Sequence, residues 1–511
     1  MLDATPLLRL YARARRARLE REDPIAGQQK TLLSLLKRAQ STRFGRDHGF
    51  SSLTDVASFQ QAVPLRRYED FWQSYWKDAF PRLTDCSWPG TIPCFAVTSG
   101  TTTGRTKYIP CSQAMNRSNR RAALDILVHH LTNRPESHVL GGKNFMLGGS
   151  TAFVEEAPGI HSGDLSGIAA SDVPWWARPY YFPDRDLALE EDWEKKVAML
   201  APASLRQDIR SISGTPSWLL LFFDKLAELN PAGSWRAKDA YPNLELVIHG
   251  GVNFAPYRGR FAEWLEGSHA ETREVYPASE GFFAVADRGD GDGLRLITDH
   301  DIFYDFIPVE ELEAERPTRH WLATVETGVE YAIAVSTCAG LWSYLVGDTV
   351  RFVDLDPPRI VVTGRTSFTL SAFGEHLISA EIEEAVSAAA SAIGASVEEF
   401  AVTPVFPRQE GEAGRHLYFV EFAEQAPEPG ALETFARVLD ETLADGNDDY
   451  RAHRSGDFGV GRPEIRVVPT GGFAAWMKAR GRLGGQNKVP RIINDPDLAE
   501  NLSAGIETVP R

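Results

Sequence analysis

Cysteine is scarce in this chain: Cys86, Cys94, Cys111 and Cys338 are scattered through 511 positions. Their spacing contains no C-x-x-C pair, so it indicates neither a disulfide framework nor a zinc site. We therefore expect a protein of a reducing compartment, the cytosol.

Excess basic charge and long apolar runs are also lacking. The 54 Lys and Arg residues are outnumbered by 70 Asp and Glu residues, which gives a formal net charge of −16. Binding to nucleic acid or to an anionic membrane needs a basic face, so we expect neither partner. The central apolar run Trp218–Phe223 is far shorter than the ~20 residues of a membrane-spanning helix. A local anion site is not excluded, because one basic loop can form it.

The chain is longer than one hydrophobic core usually supports, so we expect at least two domains. After residue 366, hydrophobic patterns predict two helices and two strands, at 380–393, 431–443, 400–406 and 416–422. The polar stretch Arg365–Ser371 before them predicts a hinge. We predict an α/β protein with a large domain over residues 1–366 and a smaller, mobile α+β domain over residues 367–511.

The large domain combines helix, strand and loop patterns. Mostly helical patterns cover residues 1–90, 112–131 and 205–229. Strand patterns cover 244–251 and 360–365, with a hairpin at 321–335. Residues 143–183 are rich in Gly, Ser, Pro and aromatic residues, which predicts loops.

The stretch Val97–Lys107 combines small hydroxyl residues, glycines and one lysine. Backbone N–H groups, hydroxyl donors and a fixed positive charge can together surround a polyphosphate. Arg-Thr-Lys follows Gly104, so the spacing does not fit a Walker loop, and a Thr-rich surface turn is the alternative. The candidate phosphate-binding residues are Thr98, Ser99, Gly100, Thr101, Thr102, Gly104 and Lys107.

Further candidates stand at predicted strand ends. Tyr276, Ala278, Ser279 and Glu280 supply an aromatic ring, a hydroxyl and a carboxylate, which are the parts needed to stack a base, contact a phosphate and hold Mg²⁺. Asp348 follows a glycine and suits the two hydroxyls of a ribose, although a structural turn is the alternative.

Glycine-rich segments provide the remaining candidates. Gly250 and Gly251 end the predicted strand at 244–251, at the end where α/β proteins bind ligands. Lys488 lies in a Gly-rich segment that domain motion could deliver to an active site, or that is a flexible basic turn.

Five segments, taken in order, resemble the acyl-adenylate-forming superfamily of acyl-CoA synthetases, luciferases and nonribosomal adenylation domains. They are Thr98–Lys107, Tyr276–Glu280, Tyr344–Asp348, Gly364–Arg365 and Lys488. The closer resemblance is to one branch, the Gretchen Hagen type of acyl acid amido synthetases. That branch shares one extra residue between Gly100 and Gly104 and the segments Pro64–Asp70, Phe306–Pro308 and Gln486–Arg491.

The chain departs from this branch at several positions. Ser343 and Leu345 stand where the branch usually has arginine, and Pro277 stands where a small residue is usual. His376 replaces a lysine of plant members and would be a weaker, pH-dependent phosphate partner. These departures imply a divergent, bacterial-style member.

The resemblance implies an enzyme that uses ATP and Mg²⁺ to adenylate a small-molecule carboxylic acid and then transfers the acyl group to an amine, such as an amino acid. Its alternatives are an acyl-CoA (acid–thiol) ligase and a non-catalytic nucleotide-binding module. A monomer or weak homo-oligomer is expected.

The resemblance also implies residue roles. Ser99, Thr101, Thr102 and Lys107 would hold the β- and γ-phosphates, and Glu280 would hold Mg²⁺. Tyr276 would stack on adenine, Ser279 would contact the α-phosphate, and Asp348 would bind the ribose with Arg365 near the hinge. Lys488 would approach the α-phosphate during adenylation, and Gly250, Gly251 and Phe254 would line the acyl pocket.

Overall fold

The computed structural model describes residues 2–99, 106–148, 153–188, 190, 193–230, 236–251, 254, 257–289, 291–312, 314–366, 370, 377–405, 414–424, 426–447, 450–451, 454, 460–482 and 488–507. The backbone alone is described at residues 98, 99, 106, 185, 186, 193, 194, 217, 221 and 365. The chain divides into two compact units. The first comprises Met1–Val252 and Gly259–Val362, and the second comprises Asn253–Arg258 and Thr363–Arg511.

Helices dominate the start of the chain. Up to residue 264, the described α-helices are α1 (Thr5–Leu19), α2 (Pro24–Ala39), α3 (Arg43–Asp47), α4 (Val56–Ala62), α5 (Tyr68–Phe71), α6 (Gln113–Asn133), α7 (Leu165–Ser171), α8 (Arg185–Ala188), α9 (Trp193–Ser204), α10 (Pro216–Glu228), α11 (Ala237–Ala240) and α12 (Arg258–Trp264). Helix α2 shows how the local sequence starts a helix: the Asp23 carboxylate accepts hydrogen bonds from the backbone N–H groups of Ile25 and Ala26. Pro24 occupies the first helical position, where no donor is needed.

The described strands between residues 94 and 365 form two sheets. These strands are β1 (Cys94–Ser99), β2 (Thr106–Cys111), β3 (Lys143–Met146), β4 (Phe153–Ala157), β5 (Ile160–Gly163), β6 (Tyr181–Phe182), β7 (Ile209–Gly214), β8 (Leu246–Gly250), β9 (Glu271–Ala278), β10 (Gly281–Val285), β11 (Leu294–Leu296), β12 (Ile302–Pro308), β13 (Glu330–Thr337), β14 (Tyr344–Leu355) and β15 (Pro358–Arg365). One sheet has the order β2-β1-β5-β4, and the other has the order β12-β13-β14-β15-β11-β10-β9-β8-β7-β3-β6. Strand β12 is buried at every residue, as expected for a strand covered on both faces.

The second unit is a three-stranded sheet between two pairs of helices. Its described elements are α13 (Ser379–Ala392), α14 (Pro429–Gly446), α15 (Gly472–Ala479), α16 (Pro496–Glu507), β16 (Val397–Val405), β17 (Arg415–Phe422) and β18 (Glu464–Val468). Strand β17 is central, antiparallel to β16 and parallel to β18. Alternate residues enter different cores: Phe400 and Val402 pack with α13 and α14, whereas Ala401 packs with α15 and α16.

Several predictions from sequence patterns are confirmed. Helices α6, α13 and α14 and strands β8, β16 and β17 lie where periodicity predicts them, and residues 1–90 are mostly helical. Their apolar spacing is regular over enough residues to identify the element.

Three predictions were wrong in detail. Residues 205–229 include the strand β7, which lies parallel between β3 and β8 before α10 begins. The predicted 321–335 hairpin is also wrong, since Trp321 starts a turn and β13 pairs with β12 and β14 instead. Residues 143–183 contain β3, β4, β5, α7 and β6 rather than loops alone.

Across the described ranges, we find no helix long and apolar enough to cross a membrane.

Candidate active site

The predicted phosphate loop connects the two strands of an antiparallel hairpin. Strands β1 and β2 pair from Cys94 opposite Cys111 to Ser99 opposite Thr106. Gly100, Thr101, Thr102 and Gly104 lie outside the described residues, and Thr98 and Ser99 are described by their backbone alone. The backbone of Thr98 lies opposite Lys107, so the lysine is next to the closing pair of the hairpin.

Lys107 is held beside an aromatic ring. Its Nζ lies 5.7 Å from the centroid of the Tyr68 ring, a cation–π distance. The Tyr68 hydroxyl accepts a 3.0 Å hydrogen bond from the backbone N–H of Tyr108, which ties α5 to β2. Burial raises the pKa of Tyr68 to about 12, so this hydroxyl is neutral at physiological pH.

Ser279 and Glu280 form the two-residue turn of the β9–β10 hairpin, because Ala278 and Gly281 pair across it. Turn residues are usually exposed, yet these two are only 9% and 8% exposed. The hydroxyl of Tyr344, at the start of β14, hydrogen-bonds to the Glu280 carboxylate. Burial raises the pKa of Tyr344 far above its ordinary value, and the Glu280 charge raises it further. Tyr344 therefore donates its proton to this contact.

Asp348 lies in a β-bulge of β14. Thr349 pairs with Ala332 and Leu345 pairs with Ala334, so β14 contributes more residues than β13 to this interval. Gly347 has φ of +92°, a backbone conformation that glycine adopts without strain. Bulges redirect side chains out of the regular alternation, and here the bulge sets the direction of Asp348.

Tyr276 connects this bulge to the β9–β10 hairpin. Its hydroxyl donates a 2.6 Å hydrogen bond to Asp348 Oδ2. In the order of the sheet, β15, β11 and β10 separate β9 from β14, which would hold them about 19 Å apart in a flat sheet. The sheet is therefore strongly curled here. The Tyr276 ring is buried and packs edge-to-face against Phe283 at 5.1 Å, and its predicted stacking on adenine stays a prediction.

The Pro64–Asp70 segment is joined to the start of β14 by the backbone. The N–H of Arg66 donates to the carbonyl of Ser343 at 3.0 Å, and the N–H of Leu345 donates to the carbonyl of Arg66 at 2.9 Å. Two segments identified separately in the sequence thus meet, and they bring Tyr68 close enough to Tyr344 to influence its pKa.

The predicted acyl-pocket residues fall in two places. Gly250 ends β8 and lies opposite Val275 on β9, where a Cβ atom would collide with the Val275 carbonyl oxygen. Gly251 follows with φ of +83°. Phe254 is buried and belongs to the second unit. Their role in binding an acyl group stays a prediction.

The remaining candidates belong to the second unit or lie outside the described residues. The backbone of Arg365 ends β15, and His376 lies outside the described residues. Lys488 is exposed and belongs to the second unit. Among the described residues, no group of three or more His, Cys, Asp or Glu side chains could hold a metal ion.

Sequence reasoning missed Tyr68 and Tyr344 as parts of the site. Both lie inside segments that carried the family resemblance, but their hydroxyl partners are distant in sequence. The available signal was a shared spacing: Tyr276 precedes Glu280 by four positions, and Tyr344 precedes Asp348 by four positions.

Comparison of the chain with protein-family profiles gives three matches to one family. They are the GH3 family N-terminal domain over residues 13–270, the central domain over 295–365 and the C-terminal domain over 380–497.

Curated relatives are named as amido synthetases. The chain is 26% identical over 563 residues to indole-3-acetic acid-amido synthetase GH3.8 of Oryza sativa subsp. indica, covering 94% of this chain and 90% of that protein. It is 26% identical over 279 residues to indole-3-acetic acid-amido synthetase GH3.3 of Arabidopsis thaliana, covering 52% of this chain. That second match spans about half of the relative, 46% of its length.

Solved structures share the fold. The acyl acid amido synthetase AtGH3.15 in complex with 2,4-DB has a TM-score of 0.78 at 19% identity, covering 94% of this chain and 93% of that one. A 2-hydroxyisobutyryl-CoA ligase in the postadenylation state has a TM-score of 0.61 at 15% identity, covering 94% and 91%. The predicted α/β fold, with a large N-terminal and a smaller C-terminal domain, is confirmed. Because the N-terminal profile alone covers 258 of the 511 residues (13–270), this protein belongs to the GH3 family, as its resemblance to the Gretchen Hagen type predicts.

Proposed function

We propose that this protein is an ATP-dependent acyl acid amido synthetase that joins a small-molecule carboxylic acid to the amine of an amino acid. One observation carries the proposal: two carboxylates suited to a metal-bound nucleotide, Glu280 and Asp348, are each hydrogen-bonded by a tyrosine of the other's segment. Membership of a family whose named relatives are amido synthetases supports it.

The reaction consists of two displacements. In the first, a carboxylate oxygen of the acid attacks the α-phosphorus of ATP, the bond from that phosphorus to the bridging oxygen breaks, and pyrophosphate leaves. In the second, the amine nitrogen attacks the acyl carbon of the acyl-adenylate and loses a proton, and AMP leaves with the electron pair of the broken C–O bond. Both steps build negative charge on phosphate oxygens, so the protein contributes mainly positioning and charge stabilisation.

The residues of the first unit suit this work. Lys107, held beside Tyr68, supplies a cation at the edge of the phosphate loop for the β- and γ-phosphates. Ser279 provides a hydroxyl for the α-phosphate, and Asp348 accepts hydrogen bonds from the ribose hydroxyls. In the second unit, Lys488 is exposed and approaches the α-phosphate when the smaller domain turns toward the nucleotide.

The donor set also suits Mg²⁺. The described residues form no cluster of three or more metal-binding side chains, so a cation held by them would need further ligands from the substrate or from water. Magnesium commonly binds through one or two carboxylates together with substrate phosphates and water, and Glu280 is the carboxylate that would hold it. The ion would neutralise phosphate charge in the first displacement.

The test is an ATP–pyrophosphate exchange screen over a panel of aromatic, indolic and aliphatic carboxylic acids, followed by an amino-acid panel with mass detection of the amide. We expect exchange that requires an acid, and amide formation without CoA. Lys107→Ala should exchange at least ~10²-fold more slowly, since one preorganised electrostatic contact is lost. Lys37→Ala, at an exposed lysine of α2, is the matched control and should retain wild-type exchange.

Other outcomes identify the alternatives. Product that forms only with CoA would make the protein an acid–thiol ligase, which shares the first step. Bound ATP without exchange for any acid would make it a nucleotide-binding module and would overturn the proposal.

A further inference from the structure

Two segments of the first unit share one spacing and bind each other reciprocally. Tyr276 and Glu280 are four residues apart, as are Tyr344 and Asp348. Tyr276 donates to Asp348 Oδ2 at 2.6 Å, and Tyr344 hydrogen-bonds to Glu280. Each tyrosine therefore holds the carboxylate of the other segment. We call these two hydrogen bonds the tyrosine brace.

Both carboxylates stand where the regular sheet does not fix their direction. Glu280 lies in a two-residue turn and Asp348 lies in a bulge beside Gly347. Side-chain contacts must therefore set their orientation. A hydroxyl that donates to an ionised carboxylate in a buried setting makes one of the stronger neutral–ion hydrogen bonds.

The tyrosines themselves are well anchored. Tyr276 is 5% exposed and packs against Phe283, and Tyr344 is 2% exposed and packs against the Phe71 ring at 6.1 Å. The backbone around Tyr344 is fixed by the two hydrogen bonds that join Arg66 to its neighbours. Each hydroxyl thus presents a fixed donor to a carboxylate whose own backbone is irregular.

We propose that Tyr276 and Tyr344 are positioning residues, Tyr276 orienting Asp348 toward the ribose hydroxyls of the nucleotide and Tyr344 orienting Glu280 toward Mg²⁺. The inference rests on the proposed function, because it assigns the two carboxylates to ribose and metal. It adds that the tyrosine brace orients both carboxylates, so that each tyrosine controls ligand binding by the carboxylate of the other segment.

A purely structural brace would behave differently from a positioning one. Loss of a structural hydrogen bond weakens every form of nucleotide binding alike. Loss of a positioning hydrogen bond weakens either the preference for the ribose 2′-hydroxyl or the gain in affinity from Mg²⁺, and leaves the other unchanged. Tyr276 should affect the ribose preference, because it binds Asp348 of β14, and Tyr344 should affect the gain from Mg²⁺, because it binds Glu280 of the β9–β10 turn.

The experiment measures the dissociation constants of ATP and 2′-deoxyATP by calorimetry, with Mg²⁺ and with EDTA, in the absence of any acid. Tyr276→Phe should reduce the preference for ATP over 2′-deoxyATP about tenfold and leave the gain in affinity from Mg²⁺ unchanged. Tyr344→Phe should reduce the gain from Mg²⁺ about tenfold and leave the ribose preference unchanged.

Tyr304→Phe is the matched control, since its buried hydroxyl donates to the carbonyls of Phe283 and Ile297. It should alter neither ratio, even where thermal unfolding shows lower stability. Equal weakening under all four ligand conditions in Tyr276→Phe and Tyr344→Phe would overturn the positioning roles. A wild-type protein that shows neither a ribose preference nor a gain from Mg²⁺ would refute the proposed function, and the inference would fall with it.

Discussion

Arg319 donates a 2.6 Å hydrogen bond from Nη2 to the hydroxyl of Ser343, the residue directly before Tyr344. Ser343 is fully buried and has φ of +47°, which is uncommon for a residue with a side chain. Its N–H donates to the Ser336 hydroxyl and its carbonyl accepts from Arg66, so several contacts hold this backbone in place. The family resemblance predicts arginine at the position of Ser343, and an arginine here would face the guanidinium of Arg319.

This relationship predicts an order of stability for two variants. Ser343→Ala and Ser343→Gly both remove the hydroxyl that accepts the hydrogen bond from Arg319. This loss should lower the free energy of unfolding by about 1–3 kcal/mol in either variant. Glycine also removes the strain of the left-handed backbone, which stabilises the folded state by roughly 1–2 kcal/mol. This gain exceeds the roughly 0.4–1 kcal/mol of stability that glycine loses because it makes the unfolded chain more flexible. Urea denaturation should therefore rank wild type above Ser343→Gly and Ser343→Gly above Ser343→Ala. An alanine variant more stable than the glycine variant would contradict the strain at this position.

Glu280→Gln should slow acid-dependent pyrophosphate exchange by at least ~10²-fold, because it preserves volume while removing the charge that would hold Mg²⁺. The exposed Glu263 of α12 supplies the control, and Glu263→Gln should exchange normally. Wild-type exchange in Glu280→Gln would show that the metal ligand lies elsewhere.

Lys488→Ala should impair adenylation more than amide formation from a preformed acyl-adenylate. The reason is that the lysine cation is proposed to approach the α-phosphate only in the first step. Single-turnover measurement of each half-reaction separates the two, and Lys478→Ala, at an exposed lysine of α15, is the control. Equal damage to both half-reactions would contradict a role confined to adenylation.

Gly250→Ala should destabilise the protein by about 1–3 kcal/mol or more, since the new Cβ meets the Val275 carbonyl, and backbone does not yield as a side chain does. Gly259→Ala in α12 is the matched control, because a Cβ there has nothing within 4 Å. Thermal unfolding should show a lower Tm for the first variant only. Equal Tm values would mean that β8 shifts to accommodate the methyl group.

His300 links α1 to α6 in a buried ion cluster. Its Nε2 lies 3.1 Å from Arg15 Nη2, and the carboxylates of Asp125 and Asp299 lie 3.5 Å and 3.4 Å away. Burial lowers the pKa of His300 to about 3; Asp299 opposes the change, and the Arg121, Arg15 and Arg18 charges add to it. The neutral ring accepts the hydrogen bond from Arg15.

The pH dependence follows from that shift. An unfolded histidine binds a proton near pH 6.5, whereas folded His300 does not until about pH 3. Its contribution to the free energy of unfolding is therefore lost as pH falls below 6.5, by about 1.4 kcal/mol per pH unit. Urea denaturation at pH 7, 6 and 5 should give a shallower decline for His300→Gln than for wild type. Parallel declines would show that His300 keeps an ordinary pKa.

The sequence predicted elements whose pattern is both long and regular. Helix α14 and strand β17 carry clear periodicity and lie where expected. Strand β7 was missed because its six residues, Ile-Arg-Ser-Ile-Ser-Gly, show no regular alternation and lie next to two helices, and its identity depends on the strands β3 and β8 on either side. Local pattern does not contain that information.

For the candidate site, the types of residue at strand ends could be read from the sequence, whereas the hydrogen bonds between them could not. The sequence singles out Glu280 and Asp348 because carboxylates at such positions suit cations and ribose, and these two roles stay predictions. The sequence named Tyr276 for another role and did not show that Tyr344 and Tyr276 pair with these carboxylates, because the curled sheet brings β9 and β14 together although three strands separate them in its order. A bacterial origin stays a prediction, and the exchange screen with its amino-acid panel would identify the acid and the amine.

The register of the β1–β2 hairpin has a consequence for how this family can vary. Ser99 and Thr106 face each other, so the chain leaves the hairpin and re-enters it at the same place whatever lies between. A residue inserted between Ser99 and Thr106 would lengthen the connection without moving Lys107, because Lys107 pairs with Thr98 inside the hairpin and lies beside Tyr68. The extra residue that the resemblance predicts between Gly100 and Gly104 would therefore lengthen this connection without displacing the cation beside it.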